Sequence, residues 1–410
     1  MAALKTSPLA PPGFPVLPEV AGVRLAAVEA NIHYRGRNDV MLAAFDAGTR
    51  VAGVLTRSLT ASAPVHWCRE RLPQGCAGAL IVCAGNANAF TGQTGHRHVR
   101  ETCEAVGAQL GCSPDEVFVA STGVIGDTLP IGRVLDAVPV AAAGLGGNWE
   151  SAARAIMTTD TFPKGATRTA AIGDTTVRIN GFAKGSGMIE PDMATMLAFV
   201  FTDAAIPGQV LQDLLVECNQ DSFNSITVDS DTSTSDTCLL FASGAAGNAE
   251  PVSASDTRLA GFREALGALM QDLAVQVVRD GEGAEKLIEV VVRGAATDAE
   301  ARVAAKAIAN SPLVKTAVAG EDANWGRVVM AVGKSGARLD QRNLGVSFGG
   351  ITIASGGGKV EDYDESLVTG HLKGREILIE VELGAGTGTS RVWTCDLTHG
   401  YIEINADYRS

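Results

Sequence analysis

The apolar residues of this chain come in short runs of strand length, interleaved with stretches of helical period, and that alternation leaves few architectures open. Residues 117–121 (VFVAS) read as a buried strand, with Thr122 and Gly123 as the turn that follows it. Residues 147–158 (GNWESAARAIMT) read as a helix, and 175–182 (TTVRINGF) alternate apolar and polar as a half-buried strand does. A Gly-rich break ending in Pro, 184–191 (KGSGMIEP), precedes an almost wholly apolar run of strand length, 194–201 (ATMLAFVF). Further on, 208–219 and 261–278 carry helical periodicity, while 287–292 and 376–382 carry strand signals. Thr297 and Glu300 form a capping box that opens an Ala-rich helix running to Asn310, with Pro312 beyond its end. The order is not strictly βαβ and no 20–50-residue repeat is present, so the pattern predicts a layered α/β or α+β body.

Size and charge narrow the function. A chain of 410 residues exceeds one ordinary core, which implies two or three domains or one large layered body. Its formal charge of −13, without any basic block, makes nucleic acid and anionic membrane poor partners. No uninterrupted apolar run approaches the ~18 residues of a membrane span. None of the eight cysteines forms a CxxC pair, which fits reduced thiols in a cytoplasmic protein. Residues 1–18 are Pro-rich and lack the apolar core of an export signal, so they are expected to form a loose arm.

The most informative stretch is 184–203, KGSGMIEPDMATMLAFVFTD. A small residue, Ala194, precedes Thr195 at the start of the apolar run. Thr195 Oγ can attack the Ala194 carbonyl, and hydrolysis of the ester would leave Thr195 as a new N-terminus. Its α-amine, with a reference pKa of roughly 7.7–8.0, would then be poised as base for its own hydroxyl. The bland reading of the same residues is a threonine leading into a buried strand. STGVIG (121–126) is either an oxyanion-binding junction or an ordinary turn. Asp229-Ser230-Asp231 lacks the EF-hand spacing for a cation loop. Gly333-Lys334-Ser335 has Val328 where a P-loop needs glycine, and Gly358-Lys359 is followed by Val360 instead of Ser or Thr. His96 and His98 flank Arg97 without any zinc-ligand ladder, and no GxSxG elbow occurs. No metal and no bound cofactor are expected.

Taken together, the motifs resemble the ornithine acetyltransferase / glutamate N-acetyltransferase family of arginine biosynthesis. The resemblance is carried by KGSGMIEPDMATML with GNANAFTG (85–92), STGVIG and MTTDTFPK (157–164). It continues through DSFNSITVDSDTSTSDT (221–237), DGEGAEK (280–286), NSPLVKTAVAGEDANWGR (310–327) and the terminal YIEINADYRS (401–410). It implies a four-layer αββα sandwich similar to N-terminal nucleophile hydrolases but differently connected. It also implies self-cleavage between Ala194 and Thr195 into an α chain, 1–194, and a β chain, 195–410, pairing into a heterotetramer of two of each.

By the same resemblance, the reaction is a ping-pong transfer of acetyl from N2-acetylornithine to glutamate through an acetyl-Thr195 intermediate, with acetyl-CoA as a possible second donor. Thr195 takes the nucleophile role, and Thr122 with Gly123 the oxyanion hole. Thr158, Lys184, Thr195, Glu282, Asn405 and Ser410 fall on the substrate-binding positions. From charge alone, Lys184 suits a substrate carboxylate and Glu282 a substrate ammonium. The sequence departs from the family pattern at Cys83, Glu190, Asp192 and Ser410, none of which removes a catalytic group. The competing readings are a self-processing amidohydrolase or aminopeptidase of related fold, and an uncleaved binding protein.

Overall fold

A computed structural model describes residues 5–187 and 196–407. Three sheets organise it. The first orders Val23–Val28, Val40–Phe45, Ala79–Asn86 and Val117–Val124; its last pair is parallel and is joined by the crossover helix Gly92–Leu110. The second orders Arg50–Leu55, Thr237–Ala242, Leu197–Thr202, Thr175–Lys184 and Lys164–Ile172.

The two sheets stack because side chains alternate faces along each strand. Phe199 and Phe201 project one way with Phe182 and Phe241, meeting Phe45 and Phe118 of the first sheet in a single core. Phe45 stacks on Phe241 at 4.4 Å between ring centroids, and Phe201 on Phe241 at 5.5 Å. Ala198, Val200 and Leu240 point the other way, against the helices Gly208–Gln220 and Ala260–Arg279. Leu197–Thr202 and Thr237–Ala242 are therefore buried on both faces, which is why they read as continuous apolar runs. Helices Gly92–Leu110 and Ile131–Ala143 cover the first sheet's outer side, completing the helix–sheet–sheet–helix stack.

A third sheet lies outside those four layers. It is six-stranded, ordered Gly358–Lys359, Ile351–Ser355, Gly345–Phe348, Glu376–Glu382, Leu287–Ala295 and Gly388–Cys395. Its own core includes Ile288, Val290, Ile379 and Val392, packed with Ala304, Ile308, Val328 and Val368 from its helices. Two buried lysines join this body to the rest: Lys306 Nζ donates to the Ile226 carbonyl at 2.6 Å, and Lys315 Nζ to that of Val228.

Several expectations need correcting. Thr122 and Gly123 do not turn the chain; the strand runs on to Val124. Gly123 holds φ +129°, and a Cβ there would sit 2.4 Å from the Gly85 carbonyl carbon, so the strand continues past this close backbone approach because position 123 is glycine. The helix expected over 147–158 is shorter, Trp149–Ala155, capped by the Asn148 side chain accepting from Ser151 N. The strand expected over 194–201 is Leu197–Thr202; Ala194 and Thr195 lie outside the described residues. Thr297 caps Asp298–Ala309 by accepting from Glu300 N at 3.2 Å, but the Glu300 carboxylate is bound to Arg338.

The N-terminal arm is docked from residue 5 onward. Leu9 and Leu17 are buried, Phe14 lies over Gly165, and the Ser7 amide donates to Thr161 Oγ1 at 2.9 Å. Asn180 Nδ2 donates to the Pro18 carbonyl at 2.6 Å. Prolines lose little backbone freedom on ordering, so three apolar anchors suffice to fix the segment. All eight cysteines are free. Among the described residues no helix is long and apolar enough to cross a membrane.

Candidate active site

The site lies where strand ends of the two stacked sheets meet the segments leading to the third. Lys184 ends its strand paired with Leu197, the first residue of the next. Met196, which follows Thr195 in the chain, is held from both sides: its amide donates to Asp236 Oδ1 at 2.9 Å, and its carbonyl accepts from Thr237 N at 3.1 Å. Beside these strand ends is a cavity of about 100 Å³.

Six residues singled out in the sequence line that one cavity. Thr122 and Gly123 come from the end of the first sheet's strand, Thr158 from the loop after helix Trp149–Ala155, and Lys184 from the second sheet. Glu282 comes from the loop after helix Ala260–Arg279, and Asn405 from the C-terminal helix His399–Asp407. Ser233, Thr234 and Ser235 also line it. Thr195 and Ala194, with Glu190 and Asp192, lie outside the described residues, as does Ser410.

Lys184 is buried and its Nζ donates to Thr158 Oγ1 at 3.3 Å. Burial holds its pKa below the ordinary lysine value, against the opposing pull of the Asp160, Asp236 and Glu282 carboxylates. Burial raises Glu282, while Asn405 Nδ2, 2.8 Å from Glu282 Oε2, works to lower it. Asp236 is pushed well up by burial; its Oδ2 has no hydrogen-bond partner among the described residues. Lys184 and Glu282, each within reach of the other's charge, thus line the same cavity as the Thr122–Gly123 pair.

Two glycines let the backbone close around Glu282. A Cβ at Gly187 would lie 2.8 Å from Glu282 Oε2, and one at Gly283 (φ +73°) would lie 2.3 Å from Tyr401 N. The C-terminal helix therefore begins directly on the loop that carries Glu282. Tyr401 also donates from its hydroxyl to Asp229 Oδ2 at 3.3 Å, so Asp229 serves the docking of this helix. Among the described residues no group of three or more His, Cys, Asp or Glu is placed to hold a metal.

Sequence reasoning passed over Asp160, Lys164, Asp236 and Asp280. The signal was present, because three of them sit inside MTTDTFPK and DGEGAEK, yet charged residues in loops read first as solvated. Here Lys164 Nζ lies 2.6 Å from both Asp160 Oδ1 and Asp280 Oδ2, with all three side chains at 0% exposure.

A model of the ArgJ family matches residues 24–410. An arginine biosynthesis bifunctional protein ArgJ of Gluconobacter oxydans is 58% identical over 408 residues, covering 99% of this chain and 96% of that one. The protein of the same name from Bradyrhizobium diazoefficiens is 56% identical over 409 residues, covering 98% and 99%. A crystal structure of an arginine biosynthesis bifunctional protein argJ from Bacillus halodurans is 43% identical, covering 50% of this chain and 96% of that one, with a TM-score of 0.48. With the family model matched almost end to end and relatives above half identical across the full length, this chain belongs to the ArgJ family.

Proposed function

We propose that this protein is a self-processing acetyltransferase of arginine biosynthesis. It transfers acetyl from N2-acetylornithine to glutamate, and it also makes N-acetylglutamate from acetyl-CoA. The observation that carries this reading is the convergence of Thr122, Gly123, Thr158, Lys184, Glu282 and Asn405 on one cavity. Family membership supplies the reaction class.

Maturation comes first. Thr195 Oγ attacks the Ala194 carbonyl, the peptide C–N bond breaks, and water hydrolyses the resulting ester. Ala194 then ends the α chain, and Thr195 begins the β chain with a free α-amine, which takes the proton from its own hydroxyl in each later attack.

In the first half-reaction, Thr195 Oγ attacks the acetyl carbonyl of N2-acetylornithine. The oxyanion forms against the Thr122 hydroxyl and the Gly123 amide, the amide C–N bond breaks, and ornithine leaves with the proton held by the Thr195 amine. In the second, the glutamate amine attacks the acetyl ester and Thr195 is regenerated. Lys184 seats the substrate carboxylate and Glu282 the side-chain ammonium of the ornithine skeleton, with Thr158, Asn405 and Ser410 as further contacts. The scheme needs no metal and no resident cofactor. The working form is a heterotetramer of two α and two β chains in the cytoplasm.

The test is acetyl transfer by purified protein given N2-acetylornithine and glutamate alone, with intact mass measured beside Thr195→Ala. Two co-purifying fragments divided between Ala194 and Thr195, an uncut variant, and glutamate-dependent release of ornithine are expected. Release of acetate to water, indifferent to glutamate, would put a hydrolase in its place.

A further inference from the structure

Two buried lysines stand on adjoining strands beneath the cavity, and their surroundings differ. The Lys164 ammonium is saturated: it donates to Asp160 Oδ1 and Asp280 Oδ2, each at 2.6 Å, and to the Phe162 carbonyl at 3.3 Å. An ammonium has three hydrogens to give, so nothing remains for a ligand. Lys184 has one acceptor among the described residues, Thr158 Oγ1, and it lines the cavity. Its remaining donor capacity faces the space where a substrate would lie.

Asp160 links the two lysines. Besides Lys164, its Oδ1 accepts from the Gly185 amide at 2.7 Å, and its Oδ2 accepts from the Thr158 amide at 3.0 Å. One carboxylate thus pins the backbone beside Lys184 and the backbone of the threonine to which Lys184 donates. Asp280 extends the chain, accepting from the Thr161 amide at 2.9 Å two residues before Glu282. Hydrogen bonds from such fully desolvated ionic groups are strong and directional.

We propose that Asp160, anchored by Lys164 and Asp280, is a positioning residue that holds the Lys184 ammonium against Thr158 as a fixed cationic seat for the substrate's carboxylate. This rests on the acetyltransferase reading for the identity of that substrate. The charged groups facing Lys184 are Asp160, Lys164, Asp236 and Glu282. Burial disfavours its ammonium, the three carboxylates favour it, and Lys164 opposes it. Removing the Asp160 charge leaves Lys164 less compensated, so the Lys184 ammonium deprotonates at lower pH.

The experiment compares wild type, Asp160→Asn and Asp160→Glu by glutamate binding in calorimetry and by acetyl transfer between pH 6 and 10, with melting temperatures as the folding check. Asp160→Asn should weaken glutamate binding roughly tenfold or more, the scale of one lost charge-assisted contact, and should move the alkaline limb of kcat/KM to lower pH. Asp160→Glu keeps the charge and shifts its oxygens, so the limb should return while the KM for glutamate stays raised severalfold. A folded Asp160→Asn protein with unchanged glutamate binding and an unmoved limb overturns the proposal, even if kcat falls. If the Asn variant does not fold, the Glu variant decides, and an unchanged KM overturns it. A wild type that binds glutamate but transfers no acetyl sinks the acetyltransferase reading alone; a wild type that does neither sinks both.

Discussion

Asn405 Nδ2 donates to Glu282 Oε2 at 2.8 Å, fastening the C-terminal helix to the loop that brings Glu282 to the cavity. Burial pushes Glu282 up from the usual carboxylate range. A raised carboxylate is protonated, and loses its hold on a cation, as pH falls through its shifted pKa. The KM for N2-acetylornithine should therefore climb on acidification from neutrality, while that for glutamate stays flatter. Glu282→Gln should raise the KM for N2-acetylornithine by about tenfold at neutral pH and abolish that acid dependence. An unchanged KM for every substrate would remove Glu282 from its assigned role.

Thr122 and Gly123 can be separated by what each substitution removes. Thr122→Val deletes one donor with little change of volume. It should lower kcat by about 100-fold or more, with KM nearly unchanged, as expected of a contact made only in the transition state. Gly123→Ala must place a Cβ 2.4 Å from the Gly85 carbonyl carbon at φ +129°. It should cost at least ~1–3 kcal/mol of stability, read as a lower denaturant midpoint, before activity is considered.

Lys164→Met leaves Asp160 and Asp280 facing each other with no cation between them. Breaking a buried ionic cluster in this way typically costs about 3–5 kcal/mol, so the variant should melt well below wild type at neutral pH. Acid should narrow the gap. In the wild type, burial opposes ionisation of Asp160, but the Lys164 and Lys184 charges prevail and bring its pKa down to about 2. A depressed carboxylate contributes stability that is complete above its unfolded pKa of about 3.8 and is lost as pH falls toward 2. The variant has little of that contribution left to lose. Parallel melting curves for the two proteins from pH 7 to pH 3 would count against this account.

Asp236 grips the amide of Met196, the second residue after the proposed cut. Asp236→Ala removes that acceptor. The fraction of chain cut between Ala194 and Thr195, followed by intact mass after a pulse of synthesis, should rise markedly more slowly than in wild type. Equal rates would show that the grip on Met196 plays no part in maturation.

What could be read in advance follows the range of the forces involved. The strand over 376–382 matches the observed Glu376–Glu382, and the helix over 208–219 is off by one residue, because periodicity and caps act locally. Thr122 and Gly123 read as a turn because a glycine after a strand has that local meaning; the reason for its presence is Gly85 on a neighbouring strand. The arm read as loose because its prolines are visible in the sequence, while the burial of Leu9 and Leu17 is tertiary. The third sheet was not anticipated as a body with its own core, although its strands at 287 and 376 were. Motif order assembled six cavity residues, but Asp160, Lys164 and Asp280 were missed, since nothing local distinguishes a solvated charge from one sealed among partners.

Under the proposed cut before Thr195, the five-stranded sheet acquires a different meaning. Arg50–Leu55 at one edge and the pair Lys164–Ile172 and Thr175–Lys184 at the other then belong to one polypeptide, while Leu197–Thr202 and Thr237–Ala242 between them belong to another. The middle of the sheet becomes a subunit interface, clasped on both sides by a single partner. Unfolding turns into dissociation, so the apparent stability of the mature protein acquires a dependence on its concentration that the uncut precursor lacks. Regaining the native state after denaturation changes from a unimolecular event into an encounter between two chains. On the proposed maturation, a precursor that builds the sheet before cutting itself avoids that encounter, because the intact chain holds these strands together at no cost in concentration.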